Sequence, residues 1–396
     1  MAKPTKIALH HLLDHNTAEI IGNKTSLLHR LESGDPLRIK HGVDPTKPDL
    51  HLGHAVTLWK LKEFQDLGHT VIFLIGDYTA RIGDPSGRNA ARPVLSPDEI
   101  DRNAKTYLDQ VGKILDVSKC EIRHNSEWFE KMTFAELIKL LGQTTVAQVI
   151  EREDFQARLK QGTNIGMHEM IYPIMQGYDS IQLKCDVEIG GVDQKLNMLM
   201  GRDLQRKFDQ PEQDIMIVPL LLGTDGIKKM SKSVGNYIGI AESSEEQFGK
   251  IMSISDALLM DYWRLCANLT DAELEAKKLE SDTNPRDSKI QLAKAIVTMY
   301  YNSAAADRAE ADFIKTFQKG ELPNDLPIVP VRPNPTTLVD LLIVTGLVTS
   351  KSEARRMIEQ SAVKIDQQLM TDPDQIINPV SGMVIQIGKR KFVKLQ

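Results

Sequence analysis

Between residues 37 and 76 the chain changes its hydrophobic period twice. "LRIKHGV" is a short strand-like run, "DPTKPD" carries turn chemistry, "LHLGHAVTLWKLKEF" has helical periodicity, and "TVIFLIG" is an apolar run of strand length. A strand, a helix and a second, wholly apolar strand in that order fit a parallel α/β layer, because parallel strands need a crossover connection. The strand signal returns in "CDVEIGG" and "DIMIVPLLLG" after residue 184. Residues 96–160 read instead as polar helices, with Ser96 as a cap before "PDEI", and 166–183 as a more apolar helix. The segment 96–180 therefore reads as an insertion between two halves of one sheet, which together occupy residues 1–240.

Most of 241–320 is helical in composition, and the helical domain is placed at 241–322. Five prolines between 323 and 335 cannot sustain a helix, so 323–336 reads as a linker before a small domain at 337–396. Composition excludes several classes. A net charge of -5, with 49 basic against 54 acidic residues, argues against a nonspecific DNA coater, so no DNA partner is expected. Three widely spaced cysteines, Cys120, Cys185 and Cys266, lack disulfide or zinc spacing; a reducing compartment and no fixed metal site are expected. No apolar run reaches the ~18 residues of a membrane span, so the expectation is a cytoplasmic protein without a membrane partner.

Two stretches carry candidate chemistry. In "GVDPTKPDLHLGH", His51 and His54 are three residues apart at the amino end of a helix, where free N–H groups and the helix dipole favour a phosphate. A pair of histidines on a helix is also a common surface feature. Gly53 between them would let a flat ring or a ribose approach the backbone. In "GIKKMSKSVGN", Lys228, Lys229 and Lys232 follow a buried strand. They form either a solvated turn or a set of mobile point charges for a polyphosphate. On the helix "MHEMIYPIMQGYDSIQL", Tyr172, Gln176 and Asp179 make a polar stripe, which reads as an internal hydrogen-bond network or as the wall of a pocket.

"HLGH" followed about 175 residues later by "KMSKS" resembles the paired signature of the class I aminoacyl-tRNA synthetases. The resemblance implies a Rossmann-like catalytic domain. It also implies that His51 and His54 stabilise the transition state on the ATP phosphates, while Lys229 and Lys232 clamp the pyrophosphate; Lys228 lies outside the motif. It extends ATP binding to Gly42, Asp44, Thr46, Gly53, Gly191, Asp193, Met230, Ser231 and Ser233, with magnesium accompanying the phosphates. "YPIMQGYD" is similar to the pocket helix of tyrosyl-tRNA synthetases, in which Tyr172 and Gln176 orient the amino acid and Asp179 receives its phenolic hydroxyl. "IGDPSG" adds Asp84 as an ammonium partner, with Thr79 just before it, and "GGVDQ" adds Gln194 for the reacting carboxylate or α-phosphate. Arg88 and Arg92 stand in the loop that carries basic residues toward the pyrophosphate. One position departs from the best-known branch: Lys40 stands where a tyrosine shares the hydroxyl with the aspartate, so the second partner of that hydroxyl is left open.

The piece 337–396 holds eight basic against six acidic residues, a modest excess that a solvated face also explains. "SKSEARRMIEQSAVKID" followed by "GKRKF" resembles the small α+β RNA-binding module shared with a small-subunit ribosomal protein. That makes Lys351, Arg355 and Arg356 candidate RNA contacts. The expectation is ligation of tyrosine to tRNA(Tyr) at the expense of ATP, by a homodimer whose interface lies in the insertion. A tryptophan-specific relative, an HxGH-type nucleotidyltransferase and a non-enzymatic RNA-binding scaffold are the competing readings.

Overall fold

The computed structural model describes residues 5–46, 48–84, 96–317, 326–330, 334–388 and 391–396. Six strands build the central sheet: β1 (Glu19–Ile21), β2 (Arg38–Val43), β3 (Thr70–Ile75), β4 (Glu121–His124), β5 (Val187–Gly191) and β6 (Asp214–Val218), in the order β1-β6-β5-β2-β3-β4. All neighbours are parallel except β1, which runs antiparallel along β6. The Val71–Ile75 side chains are at most 1% exposed, as strands covered on both faces require, and each large apolar side chain contributes roughly 1.5–3 kcal/mol by leaving water. Chain direction reverses its lateral drift between β2 and β5, so a crevice opens beyond their carboxyl ends.

Two strands depart from the sequence reading. β4 lies inside the segment expected to be helical, because "EIRH" has two charged residues, half-buried side chains throughout and no apolar run to announce it. β1 has only three residues and an exposed first position. Around β4 the segment forms helices Pro97–Val111, Ser126–Phe129, Phe134–Leu141, Val146–Ile150 and Glu153–Lys160.

The helix Leu52–Asp66 leaves β2, Met167–Leu183 enters β5, and Lys195–Lys207 leaves β5. The last two pack backbone to backbone: a Cβ on Gly177 would meet Leu204 Cδ1 at 2.9 Å and the Gly201 nitrogen at 3.1 Å. This close approach holds the face bearing Gln176 and Asp179 toward the crevice. The helices Ser244–Met252, Leu259–Cys266, Asp271–Thr283 and Pro285–Tyr300 fill the region expected to be helical, and Tyr262 donates to the Leu222 carbonyl just beyond β6.

Packing divides the chain into Met1–Asp307 and Arg308–Gln396, a boundary that falls within the helix Ser303–Phe317. In the second unit the helices Leu338–Val344 and Lys351–Glu359 cover a small sheet around Leu338, Leu341, Leu342, Val363 and Ile385. The segment expected to be a linker is partly structured. Ile328–Val329 pairs in parallel with Lys391–Leu395 at the sheet edge, where prolines cost no ladder hydrogen bond.

Candidate active site

The crevice holds a cavity of about 650 Å³, within the usual range for a small-molecule site. Gly42, Asp44 and Thr46 enter it from the end of β2, Gly191, Asp193 and Gln194 from the end of β5, and Thr79 and Asp84 from the loop after β3. Tyr172, Gln176 and Asp179 form one wall, and His51, Gly53 and His54 another. Lys229, Met230, Ser231, Lys232 and Ser233 close the rim. Arg88 and Arg92 lie outside the described residues.

His51 is the N-cap of the helix Leu52–Asp66 and His54 its third residue; their rings stack with centroids 3.8 Å apart. The His51 backbone N–H donates to His54 Nδ1 at 3.2 Å, so a neutral His54 carries its proton on Nε2. Burial lowers both pKa values, helped by the neighbouring His54 and Lys229 for His51 and by His41 for His54, to about 2 and about 4. The pair thus offers neutral N–H donors rather than positive charge. Gly53 has a nearer neighbour than a ligand: a Cβ there would lie 3.1 Å from the His51 ring, which would have to shift by a few tenths of an ångström to accept it.

The lysine loop is tied to the histidine helix through backbone hydrogen bonds, Leu52 N–H to the Ile238 carbonyl at 2.9 Å and Ile240 N–H to the Leu50 carbonyl at 3.1 Å. Asn236, 4% exposed, staples the loop internally, donating to Asp225 Oδ2 and the Lys229 carbonyl while accepting from the Ser231 N–H at 2.8 Å. Lys229 pairs with Asp193 at 2.7 Å and Lys232 with Asp49, so both ammonium groups are parked on carboxylates at the cavity rim. The Lys228 ammonium makes no ion pair among the described residues, and its side chain is exposed.

Across the cavity, Tyr172 Oη and Thr79 Oγ1 each donate to Asp44 at 2.8 Å, and Gln194 Nε2 donates to Asp84 at 2.6 Å. Asp179 is 2% exposed and accepts from Trp128 Nε1 at 2.9 Å and from Asn125 Nδ2 at 3.4 Å. Burial lifts its pKa to about 7 against the opposing pull of Lys40, Trp128 and Asn125. Lys40 does not replace the family's tyrosine as a free hydroxyl partner. Its ammonium is fully buried, 2.9 Å from Glu188 and hydrogen-bonded to Ser180 Oγ at 2.8 Å and the Gln176 carbonyl at 3.0 Å. Burial works against that charge, but Glu188 and Asp179 hold its pKa above the usual lysine value.

Sequence reasoning missed Asn125, Trp128, Asn197 and Glu188. The first two come from the short helical turn after β4, Glu188 from β5 itself and Asn197 from the helix that leaves it, and no motif spacing marks them. It also missed His41, whose Nδ1 donates to the Ile189 carbonyl at 2.9 Å across the β2–β5 junction.

Among the described residues one group resembles a metal-ligand set: His11, His15 and Glu63, with ligand atoms within 4.8 Å of one another. It lies apart from the cavity lining. The Lys60 ammonium already holds Glu63 at 2.6 Å, which sets a positive charge on the carboxylate that a cation would need. In the second unit Lys351 pairs with Asp340 at 2.8 Å and Arg355 with Asp374 at 3.0 Å, while Arg356 is exposed on the same helix.

The family profile described as "tRNA synthetases class I (W and Y)" matches residues 32–318, and the "Tyrosine--tRNA ligase SYY-like C-terminal domain" matches 318–395. The tyrosine–tRNA ligase of Bordetella avium is 50% identical over 92% of this chain and 89% of its own length. That of Carboxydothermus hydrogenoformans is 47% identical over 97% and 96%. The chain belongs to the tyrosine–tRNA ligase family of the class I synthetases.

Its reaction is accordingly ATP-dependent activation of tyrosine and transfer of the tyrosyl group to tRNA. The catalytic profile alone spans tryptophan and tyrosine enzymes; the C-terminal domain and the full-length relatives decide for tyrosine and set aside the three competing readings. The fold agrees with that of a tyrosyl-tRNA synthetase from Archaeoglobus fulgidus solved with L-tyrosine. The TM-score is 0.62 at 23% identity, covering 77% of this chain and 99% of that one. A truncated mitochondrial tyrosyl-tRNA synthetase from Aspergillus nidulans gives 0.64 at 23% identity, over 79% and 95%. No described helix is long and apolar enough to cross a membrane.

Proposed function

We propose that the cavity beyond β2 and β5 carries out tyrosine activation with the following division of labour. The tyrosine ring lies along the Met167–Leu183 helix, its ammonium facing Asp84, Tyr172, Gln176 and Thr79 and its hydroxyl facing Asp179. ATP lies over Gly42, Asp44, Thr46, Gly53, Gly191 and Asp193, with its phosphates toward His51, His54 and the rim residues Lys229 to Ser233. Magnesium would travel with those phosphates and supply charge neutralisation there; no protein ligand is assigned to it. A tyrosine carboxylate oxygen bonds to the α-phosphorus as the bond to the pyrophosphate oxygen breaks. The carboxylate is ionised at neutral pH, so no general base is needed. Positioning by Gln194, N–H donation by the histidines and charge from Lys229, Lys232, Arg88 and Arg92 carry the step.

What supports this reading is the convergence on one cavity of both signature motifs with a buried aspartate poised near neutrality. Tyrosine-dependent ATP–pyrophosphate exchange tests it; equal exchange by Asp179→Ala and the unaltered protein would overturn the assignment of the hydroxyl site.

The same exchange assay carries a pH prediction. Protonated Asp179 is neutral below pH 7, so an unmatched phenylalanine ring costs little. As pH rises through about 7 the carboxylate appears, a charge-assisted hydrogen bond to the phenol forms, and phenylalanine would leave the buried charge with only its protein donors, Trp128 and Asn125. Discrimination between tyrosine and phenylalanine is expected to rise about tenfold from pH 6 to pH 8, the difference between a neutral and a charge-assisted bond. A flat profile would detach Asp179 from the hydroxyl. For stability the sign is opposite: the raised pKa favours folding while Asp179 is protonated, and that contribution fades between the unfolded value near 4 and pH 7.

We further propose a cytoplasmic homodimer joined through the inserted segment, with the small C-terminal unit binding tRNA(Tyr) through Lys351, Arg355 and Arg356. The dimer is supported by Phe134 and Ile138, one turn apart on the helix Phe134–Leu141 and 76% and 55% exposed, with Val146 62% exposed nearby in the chain. Phe134→Asp with Ile138→Asp is expected to convert the protein to a monomer in sedimentation velocity; an unchanged dimer would place the interface elsewhere.

A further inference from the structure

Two pocket amides, Gln176 and Gln194, have their donor and acceptor ends chosen by a side chain that is not itself in the pocket wall. Asn197 is 1% exposed on the helix Lys195–Lys207, and its Nδ2 donates to Gln176 Oε1 at 2.9 Å and to Gln194 Oε1 at 3.0 Å. Its Oδ1 accepts from a guanidinium nitrogen of Arg152, a residue 3% exposed at the N-cap of the helix Glu153–Lys160 within the inserted segment. Beyond the glutamines the direction continues: Gln176 Nε2 donates to Glu188 at 3.2 Å and Gln194 Nε2 to Asp84 at 2.6 Å.

An amide in a pocket is ordinarily ambiguous, because oxygen and NH2 exchange places by a flip. Here the chain starts on a guanidinium, which only donates, and ends on two carboxylates, which accept. Every bond between them then has one possible direction. Arg152 forces Asn197 to present its NH2, and that NH2 forces both glutamines to present their oxygens inward and their NH2 groups to Glu188 and Asp84.

We propose that Asn197 and Arg152 are positioning residues for tyrosine activation, setting the polarity of Gln176 and Gln194 together. The proposal rests on the pocket reading above, in which Gln176 faces the amino acid and Gln194 the reacting carboxylate. It also links the inserted segment to the pocket by a path of four side chains, Arg152 to Asn197 to Gln176 and Gln194. Arg152 is further held by Asp154, with Nε to Oδ1 at 3.1 Å, so its guanidinium is oriented before it meets Asn197.

Asn197→Asp keeps the acceptor for Arg152 and replaces the donor with an oxygen, which turns two glutamine oxygens into unpaired acceptors. The expected result in ATP–pyrophosphate exchange is a fall of about 30-fold in kcat/KM for tyrosine with KM for ATP unchanged, the size of effect expected for buried acceptors left without donors. Arg152→Met is expected to lose about tenfold by freeing the Asn197 amide to flip, and Arg152→Lys, which restores a donor-only cation, to recover most of it. Repeating Asn197→Asp on a Gln176→Ala/Gln194→Ala background should add little further loss, since the groups it acts through are gone. A purely structural role predicts additive losses, a rise in KM for both substrates and no rescue by lysine, and any of these overturns the proposal. Thermal unfolding of each variant identifies loss of fold. If Gln176→Ala and Gln194→Ala keep full activity, the pocket reading itself fails. If they lose activity while Asn197→Asp does not, only the positioning role fails.

Discussion

Lys232→Ala is expected to slow tyrosyl-adenylate formation by about 100-fold or more while leaving tyrosine affinity within twofold. The reasoning starts from where the charge sits. Lys232 faces Asp49 across the rim of the cavity and Lys229 faces Asp193; on the proposed reading each ammonium exchanges a carboxylate for a phosphate when a nucleotide enters. Negative charge on the departing pyrophosphate grows only as the α-phosphorus bond breaks. A cation placed there therefore lowers the barrier more than it tightens the ground state, and a positioned donor in such a site is typically worth about 3–4 kcal/mol. Lys228 also lines the cavity, but among the described residues its ammonium is not paired with a rim carboxylate as those of Lys229 and Lys232 are. Its backbone carbonyl accepts from Gly223 N–H at 2.9 Å, while its side chain is exposed, so Lys228→Ala should change the rate little. Quenched-flow measurement of adenylate formation, with equilibrium dialysis for tyrosine, separates the two quantities. Equal losses at 228 and 232 would show a diffuse charge effect instead of a positioned clamp.

Lys40→Met is expected to destabilise the protein by about 3–5 kcal/mol, and adding Glu188→Gln should recover most of that loss. Lys40 and Glu188 are register partners on the adjacent parallel strands β2 and β5, at 0% and 2% side-chain exposure and 2.9 Å apart. Removing the ammonium alone strands a carboxylate in the core, where Ser180 and Gln213 still donate but nothing balances its charge. The double substitution removes both charges and leaves an amide among existing hydrogen-bond partners. Urea unfolding of the four-membered cycle measures the coupling; a cost near zero for Lys40→Met would mean that the pair contributes nothing to folding. The same single substitution has a second consequence. Lys40 holds the pKa of Asp179 down, so its loss should move the pH at which tyrosine discrimination develops to a value above 7.

This pair also marks the limit of what the linear order of residues reveals. The change of period from "LRIKHGV" to the helix and then to "TVIFLIG" announced β2, its crossover helix and β3. The "HLGH" and "KMSKS" motifs marked two walls of the cavity, because a tight turn after a buried strand leaves its signature in consecutive residues. β4 was hidden, since an edge strand with half-buried charged residues has neither alternation nor an apolar run. Lys40 read only as the absence of a family tyrosine. Its actual partner stands 148 positions later, and the two met only because β2 and β5 are neighbours in the sheet.

Trp128 and Asn125 make the same point for the hydroxyl site. Sequence comparison with the family directed attention to Asp179 and to an unfilled position at Lys40; the donors that hold Asp179 arrive from the turn after β4. The sequence by itself determined the class of sheet, the two motifs that line the cavity, the polar stripe on the helix Met167–Leu183 and the small C-terminal module. All of these are patterns of period or of contiguous residue type. Only the tertiary structure decided the ionisation of Asp179, the burial of Lys40 against Glu188, and the bond directions running from Arg152 to the pocket amides. Charge state and hydrogen-bond polarity depend on local desolvation and on which groups meet, and those meetings are made by strand order and helix packing between residues well separated in the chain, 45 apart for Arg152 and Asn197 and 148 for Lys40 and Glu188.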